Sequence, residues 1–319
     1  MAEIGLGLAA LGRPGYINLG HHQDLAGRQA VADLERHTYH MLDRALALGI
    51  RYVDAARSYG RSEVFLSNWI GQRSDLPSDF RVGSKWGYTY TADWQIQAEV
   101  HEVKEHSLAN FVRQWGLSQK LLPFLKLYQV HSATLDSGIL DQPELHRAMA
   151  ALKEKGISVG LSLSGTKQSE TLLKALEIQV DGEPLFSSVQ ATFNVFERSV
   201  APALQLAHAA GWQIIIKEAL ANGRLTNRNN RMEDHQQIQA LRSLASAHQT
   251  SLDALALGFV LAQPWVDIVL SGAAQLTHLE SNLRAYDLVE QADWQAPLWM
   301  DLAEKPGLYW AIRKSLTWN

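Results

Sequence analysis

Cysteine is absent from the 319 residues. That excludes disulfide scaffolds, iron–sulfur clusters, thiol nucleophiles and cysteine-ligated zinc. A dominant charge is lacking too: 29 Lys and Arg stand against 33 Asp and Glu, a net charge of −4. The basic residues are scattered, so the chain carries no electrostatic footprint for nucleic acid and no such partner is expected. No apolar run approaches the ~18 residues that would cross a bilayer, so no membrane span is expected. The opening MAEIGLGLAALGRPG has no basic n-region and is broken by Gly and Pro, which argues against a secretory signal. A cytoplasmic setting is therefore expected. A Pro/Gly/Ser linker and blocks of like charge are also missing, so residues 1–319 are expected to form one domain. With 46% apolar and 19% charged residues, the composition is that of a globular chain.

One local pattern is repeated: an amphipathic stretch, a glycine, then a short apolar run. It occurs at residues 40–54, 143–162 and 201–217. Glycine past a helix end supplies the left-handed turn that stops it, and β-branched runs suit buried strands. In the second copy Asp141 is the expected N-cap and Pro143 opens the helix. Leu145, Met149 and Leu152 line one face, and Gly156 ends it. Other strand-like runs are Ile4–Leu8, Phe80–Val82, Leu125–Val130, Ser188–Gln190 and Val266–Leu270. Strands alternating with helices imply a parallel sheet, because parallel strands need crossover connections. The leading fold is thus α/β, a (β/α)₈ TIM barrel, with a doubly wound sheet second.

In such a barrel the reactive groups sit at the C-terminal ends of the strands. Those positions hold Asp54 after IRYV, Lys85 after FRVGS and His131 after KLYQV, with Tyr59 five residues beyond Asp54. Tyrosine ordinarily titrates near ~10. A neighbouring ammonium favours phenolate, so Lys85 is expected to lower that value, with Asp54 holding the lysine. His131 would hydrogen-bond a substrate oxygen. Together these make a general-acid device for a carbonyl that receives hydride.

The segment VDAARSYGRSE (53–63) resembles the aldo-keto reductase segment in which Asp and Tyr stand five apart before Gly-x-Ser-Glu. SKWG (84–87) and LYQVHS (127–132) resemble that family's lysine and histidine strands. The resemblance runs from GLGLAALG to SGAAQLTHLESNL (271–283). It implies a nicotinamide-dependent oxidoreductase acting on a small carbonyl compound, or on the matching alcohol or sugar. Tyr59 would be the proton donor, with Asp54, Lys85 and His131 as its partners and Trp86 in the substrate pocket. It implies no particular oligomeric state and no metal site.

Ser162 and Gln190 match the residues that hold the nicotinamide amide, while Leu163 stands where an Asn is expected. Lys217 stands where many members stack an aromatic ring, and could reach pyrophosphate instead. In EALANGRL (218–225), Glu218, Ala219, Leu220 and Arg224 match a segment that meets the phosphates. Asn282 matches a residue near the adenine. Gly272, Ala273 and His278 replace a Lys-Ser pair and an Arg that grip an adenosine 2′-phosphate. Arg228 and Arg231 most simply form a solvated loop, though either could fold over to meet phosphate. The resemblance implies NADP(H), with NAD(H) as the alternative. Pocket walls are expected from the Trp86–Glu99 region and from Trp294, Trp299 and Trp310.

Competing readings are weaker. Gly5-Leu-Gly7-Leu-Ala-Ala10 has the dinucleotide-fingerprint spacing, but only four residues precede it and Pro14 interrupts any helix. Gly160-Leu-Ser162-Leu-Ser164 misses the last glycine of a nucleophile elbow. His21–His22 and His37 with His40 lack a completing carboxylate and are expected at the surface. A regulatory cofactor-binding subunit, like the potassium-channel β subunits that resemble these enzymes, is the alternative function. A barrel lyase or isomerase is the third.

Overall fold

A computed structural model describes residues 2–319. Eight parallel strands close on themselves: β1 (Glu3–Gly7), β2 (Tyr52–Asp54), β3 (Arg81–Trp86), β4 (Leu125–Ala133), β5 (Ser158–Leu163), β6 (Ser188–Thr192), β7 (Gln213–Lys217) and β8 (Ile268–Ser271). Each pairs with its neighbour in the chain, and β8 closes the circle on β1 with Ile268 opposite Glu3. Every strand-like run of the sequence overlaps one of these strands. The architecture is the (β/α)₈ barrel.

Strand side chains alternate between the barrel interior and the surrounding helices. Tyr52, Leu127, Ile215, Ile268 and Leu270 form an apolar plug apart from the main core, which lies between strands and helices. The Tyr52 ring needs room across the barrel. A Cβ on Gly83 would stand 2.0 Å from its hydroxyl, so only glycine fits there. Two residues further toward the C-terminal ends the inward positions turn polar, with Asp54, Lys85 and Gln190 all buried. The apolar plug is therefore the floor of a polar mouth.

Some local expectations need correction. Asp141 does not cap the Pro143–Ala150 helix; Gln142 occupies that position, and the Asp141 carboxylate instead binds Lys174 at 2.5 and 2.7 Å. Leu145, Met149 and Leu152 are buried as their spacing requires. The segment after Trp86 is not all loop. Tyr88–Tyr90 pairs antiparallel with Glu102–Lys104, and this hairpin stands beside the mouth. His21 is not a surface residue: it is buried edge-on to Tyr16, and burial lowers its pKa to about 4. His37 is half-buried and its ring bonds the Ala274 carbonyl at 2.7 Å. Past the Pro306–Ser315 helix, the last residues cross the mouth. Asn319 and Tyr16 exchange main-chain hydrogen bonds at 3.0 and 3.1 Å.

No helix among the described residues is long and apolar enough to cross a membrane. Among those residues no group of three metal-ligating side chains occurs.

Candidate active site

Asp54, Lys85, His131 and Tyr59 converge on the mouth. The Lys85 ammonium donates to Asp54 Oδ2 and to the Ala55 carbonyl at 3.0 Å. Gln190 Nε2 donates to the other carboxylate oxygen at 2.8 Å. Both members of the ion pair are buried, at 0% and 2% exposure. Tyr59 stands over them, its ring centroid 4.8 Å from Lys85 Nζ and 5.5 Å from the His131 ring, to which it is edge-on. The turn that carries Tyr59 is clamped by the loop after β1. Arg61 N–H donates to the Gly12 carbonyl at 2.7 Å, and a Cβ on Gly12 would stand 2.2 Å from the Tyr59 carbonyl. Glycine at 12 is what lets the two loops touch.

The electrostatics differ from the sequence expectation at one point. The sequence points to Lys85 as the cation that lowers the Tyr59 pKa, yet its charge is matched by Asp54 in direct contact. The phenol is held well above its ordinary value, first by burial and then by the Asp54 carboxylate. The cation opposing this shift is Arg13, whose guanidinium lies 5.4 Å from the Tyr59 ring centroid. Tyr59 therefore keeps its proton at neutral pH. His131 is driven the other way: burial first, then Lys85, Lys217 and Arg13, push its pKa far down. His131 Nδ1 lies 3.3 Å from Ser58 Oγ, and in the tautomer in which the hydroxyl donates, the neutral ring carries its proton on Nε2.

A cavity of about 810 Å³ runs from Tyr59 and His131 past β6 and β7 to the end of β8. Gln190, Lys217, Glu218, Ala219 and Leu220 line its middle, and Gly272, His278 and Asn282 its far end. Lys217 is bonded to Thr192 Oγ1 at 2.9 Å and lies 3.9 Å from Glu218, and burial lowers its pKa to about 8. Glu218 is clasped by Arg313, at 2.9 Å from Nε, which together with Lys217 outweighs burial and holds the carboxyl at about 2. Main-chain N–H groups of Ala221, Gly223, Arg224 and Leu225 are taken inside the turn. In this turn the N–H groups of Ala219, Leu220 and Asn222 have no main-chain partner among the described residues.

Lys85, Arg224, Trp86 and Ser162 do not line this cavity, Lys85 because it lies fully buried beneath, against Asp54. Arg224 is buried in an ion-pair network, with Asp234 at 2.8 and 2.9 Å and Glu304 at 2.5 Å. It fastens the loop from beneath. Trp86 points outward, because Lys85 before it points in, and packs on Phe111 and His106. Ser162 lies beneath the mouth, its Oγ accepting from Ser132 N–H at 2.8 Å; Ser132 and Ser164 line the cavity instead. Trp294 and Trp299 pack with Phe259, and Trp310 packs on Tyr309; the tail supplies Arg313 and Trp318 to the wall. Arg228 does fold over the cleft, bonded to Asp24 and Gln23, while Arg231 pairs with Glu233 and Asp234. Sequence reasoning missed Arg13, Asp24 and Glu102, each a lone charge in a segment with no strand-end signal.

The donor set fits a nicotinamide dinucleotide. Gln190 Oε1 is buried on the cavity wall without a partner, an acceptor suited to a carboxamide N–H. The free N–H groups of Ala219 and Leu220 suit phosphate oxygens.

A sequence profile described as the Aldo/keto reductase family matches residues 3–296. The "Uncharacterized oxidoreductase YqkF" of Bacillus subtilis (strain 168) is 24% identical over 264 residues, 77% of this chain and 80% of that protein. The "Aldo-keto reductase ausK" of Emericella nidulans is 23% identical over 274 residues, 78% of this chain and 68% of that one. Among solved structures, the holo form of "aldo-keto reductase AKR11C1" from Bacillus halodurans superposes with a TM-score of 0.66 at 20% identity, covering 99% of this chain and 92% of that one. The "glycerol dehydrogenase AKR11B4" from Gluconobacter oxydans gives 0.67 at 20% identity, over 89% and 86%.

Proposed function

The chain belongs to the aldo/keto reductase family of oxidoreductases, and on that premise we propose that it interconverts a small carbonyl compound and its alcohol with NADP(H), or less readily NAD(H), using Tyr59 as the proton donor. The observation that carries this reading is the meeting of Tyr59, His131 and the Asp54–Lys85 pair at one end of a cavity that offers phosphate and carboxamide partners further along. When bound, the reduced dinucleotide would supply a hydride. The substrate oxygen is held by the neutral His131 Nε2–H and receives the Tyr59 proton. The protonated state of Tyr59 at neutral pH suits reduction in particular. Charged donors and acceptors near Tyr59, Arg13 and Glu102 among them, suit a polar carbonyl compound or a sugar. Turnover of an aldehyde, ketone and aldose panel with each dinucleotide tests the reading. Cofactor binding without turnover of any of them would favour a regulatory subunit.

Choice of dinucleotide turns on three side chains at the far end of the cavity. Arg228 offers a cation and His278 a ring nitrogen to a 2′-phosphate, but the Asp24 carboxylate lies between them, in contact with Arg228 and 3.8 Å from His278. Burial raises the Asp24 pKa, so this carboxylate is already strained toward neutrality. Asp24→Asn removes the repulsion and frees Arg228. Hydrogen bonds to charged groups are worth ~1.5–3 kcal/mol, so the variant is expected to favour NADP(H) over NAD(H) by about a further tenfold. Arg228→Ala is expected to shift the ratio oppositely. Titrating tryptophan fluorescence with each dinucleotide measures both, and an unchanged ratio in Asp24→Asn would remove Asp24 from selection.

A further inference from the structure

Arg13 is only 3% exposed, and its guanidinium is spent on the loop that carries Tyr59 and on the hairpin beside the mouth. Its Nη1 donates to the carbonyl of Ser58, the residue before Tyr59, at 3.1 Å and pairs with Glu102 at 2.5 Å. Its Nε is buried without a partner. The guanidinium is boxed by the rings of Tyr59, Tyr16 and Trp318, at 5.4, 5.1 and 4.7 Å from their centroids. Tyr59 thus stands between two cations, each matched by a carboxylate: Lys85 with Asp54 beneath, Arg13 with Glu102 outside. The two pairs differ in access. Asp54 is 2% exposed and Glu102 21%, so the outer pair is solvated on its acidic side.

We infer that Arg13 is a positioning residue for the proton donor, fixing the Tyr59 turn through the Ser58 carbonyl and opposing with its charge the negative charge left on Tyr59, while Glu102 counterbalances it. The inference rests on the reading of Tyr59 as the proton donor. In reduction the Tyr59 O–H bond breaks, the proton forms an O–H bond on the substrate oxygen, and the electron pair stays on the phenolate, which solvent later reprotonates. Alcohol oxidation runs the same transfer backward and needs the phenolate. Arg13 favours phenolate, and Glu102 opposes it from across the hairpin. The other ionisable groups facing Tyr59 are Asp54 and Tyr52 on β2, Lys85 on β3, His131 on β4, Tyr16 after β1 and Glu218 after β7. Of these, Tyr16 and His131 also feel the Arg13 charge.

Below the Tyr59 pKa, log kcat/KM for alcohol oxidation climbs with pH, and a shift in that pKa displaces the climbing limb without the midpoint being reached. Arg13→Met is expected to lower oxidation about tenfold at each pH on that limb, its guanidinium lying 5.4 Å from the Tyr59 ring centroid, and Glu102→Gln to raise it by a smaller factor, its charge acting less strongly on Tyr59 than that of Arg13. Arg13→Lys is expected to recover most of the loss. A purely structural pair would give two losses and no displacement of the limb. Glu102→Gln is nearly isosteric and partly exposed, so it reports even where Arg13→Met folds poorly. Displacements of the same sign, or none, overturn the inference. Tyr59→Phe run alongside separates the two claims: if it oxidises alcohol normally, the proton-donor reading itself fails.

Discussion

Tyr59→Phe is expected to lower kcat for carbonyl reduction by about 10²–10⁴-fold, the usual worth of general acid catalysis, with dinucleotide affinity preserved. The substitution removes one hydroxyl and leaves the ring in place between Arg13, Lys85 and His131. The turn beneath is held by main-chain bonds that Phe does not disturb, from Tyr59 N–H to the Ala56 carbonyl and from Ser62 N–H to the Tyr59 carbonyl. The loss therefore belongs to proton delivery. Because burial and Asp54 keep the phenol protonated, the wild-type rate of reduction is expected to stay level through neutral pH. Loss of the hydroxyl should lower kcat and kcat/KM together, the pattern of an interaction made only in the transition state. Single-turnover measurement with one reactive aldehyde checks this. Retention of more than about half of the wild-type rate, with chemistry limiting, would remove Tyr59 from the mechanism.

The same residues show which information the sequence carries locally. The strands could be read because β-branched runs between glycine-stopped helices leave few other solutions, and β7, QIIIK, is the plainest case. Asp54, Lys85 and His131 could be placed because each ends or nearly ends such a run. Trp86 went wrong by one position. Strand side chains alternate, so a reactive Lys85 pointing inward sends Trp86 out among the helices. Arg224 went wrong because its partners are distant in sequence: Asp234 lies ten residues on and Glu304 eighty, and nothing near Arg224 announces them. Arg13 and Glu102 were invisible for the same reason, being 89 residues apart and meeting only because the hairpin after β3 leans over the loop after β1. Periodicity reports what a residue's own element does with it. Charge pairing across the barrel mouth is decided by the closure of the whole fold.

Lys85→Met is expected to abolish most turnover and also to destabilise the protein. Methionine fills much of the lysine's volume, so packing changes little and the effect isolates the charge. Asp54 then remains at 2% exposure with Gln190 Nε2 as its surviving side-chain donor at 2.8 Å. Breaking a buried ion pair by removing one partner costs about 3–5 kcal/mol, because the remaining charge is uncompensated. Adding Asp54→Asn removes the orphaned charge, and the double variant should regain most of the stability, the two sites being in contact and therefore non-additive. Activity should not return with it. Tyr59 stands over the Lys85–Asp54 pair, and an amide against a thioether restores neither the charge 4.8 Å from the Tyr59 ring nor the bond to the Ala55 carbonyl. Urea denaturation of the two single variants and the double, beside turnover of each, measures both effects. Stability and activity recovering together in the double variant would show that Lys85 and Asp54 serve folding alone.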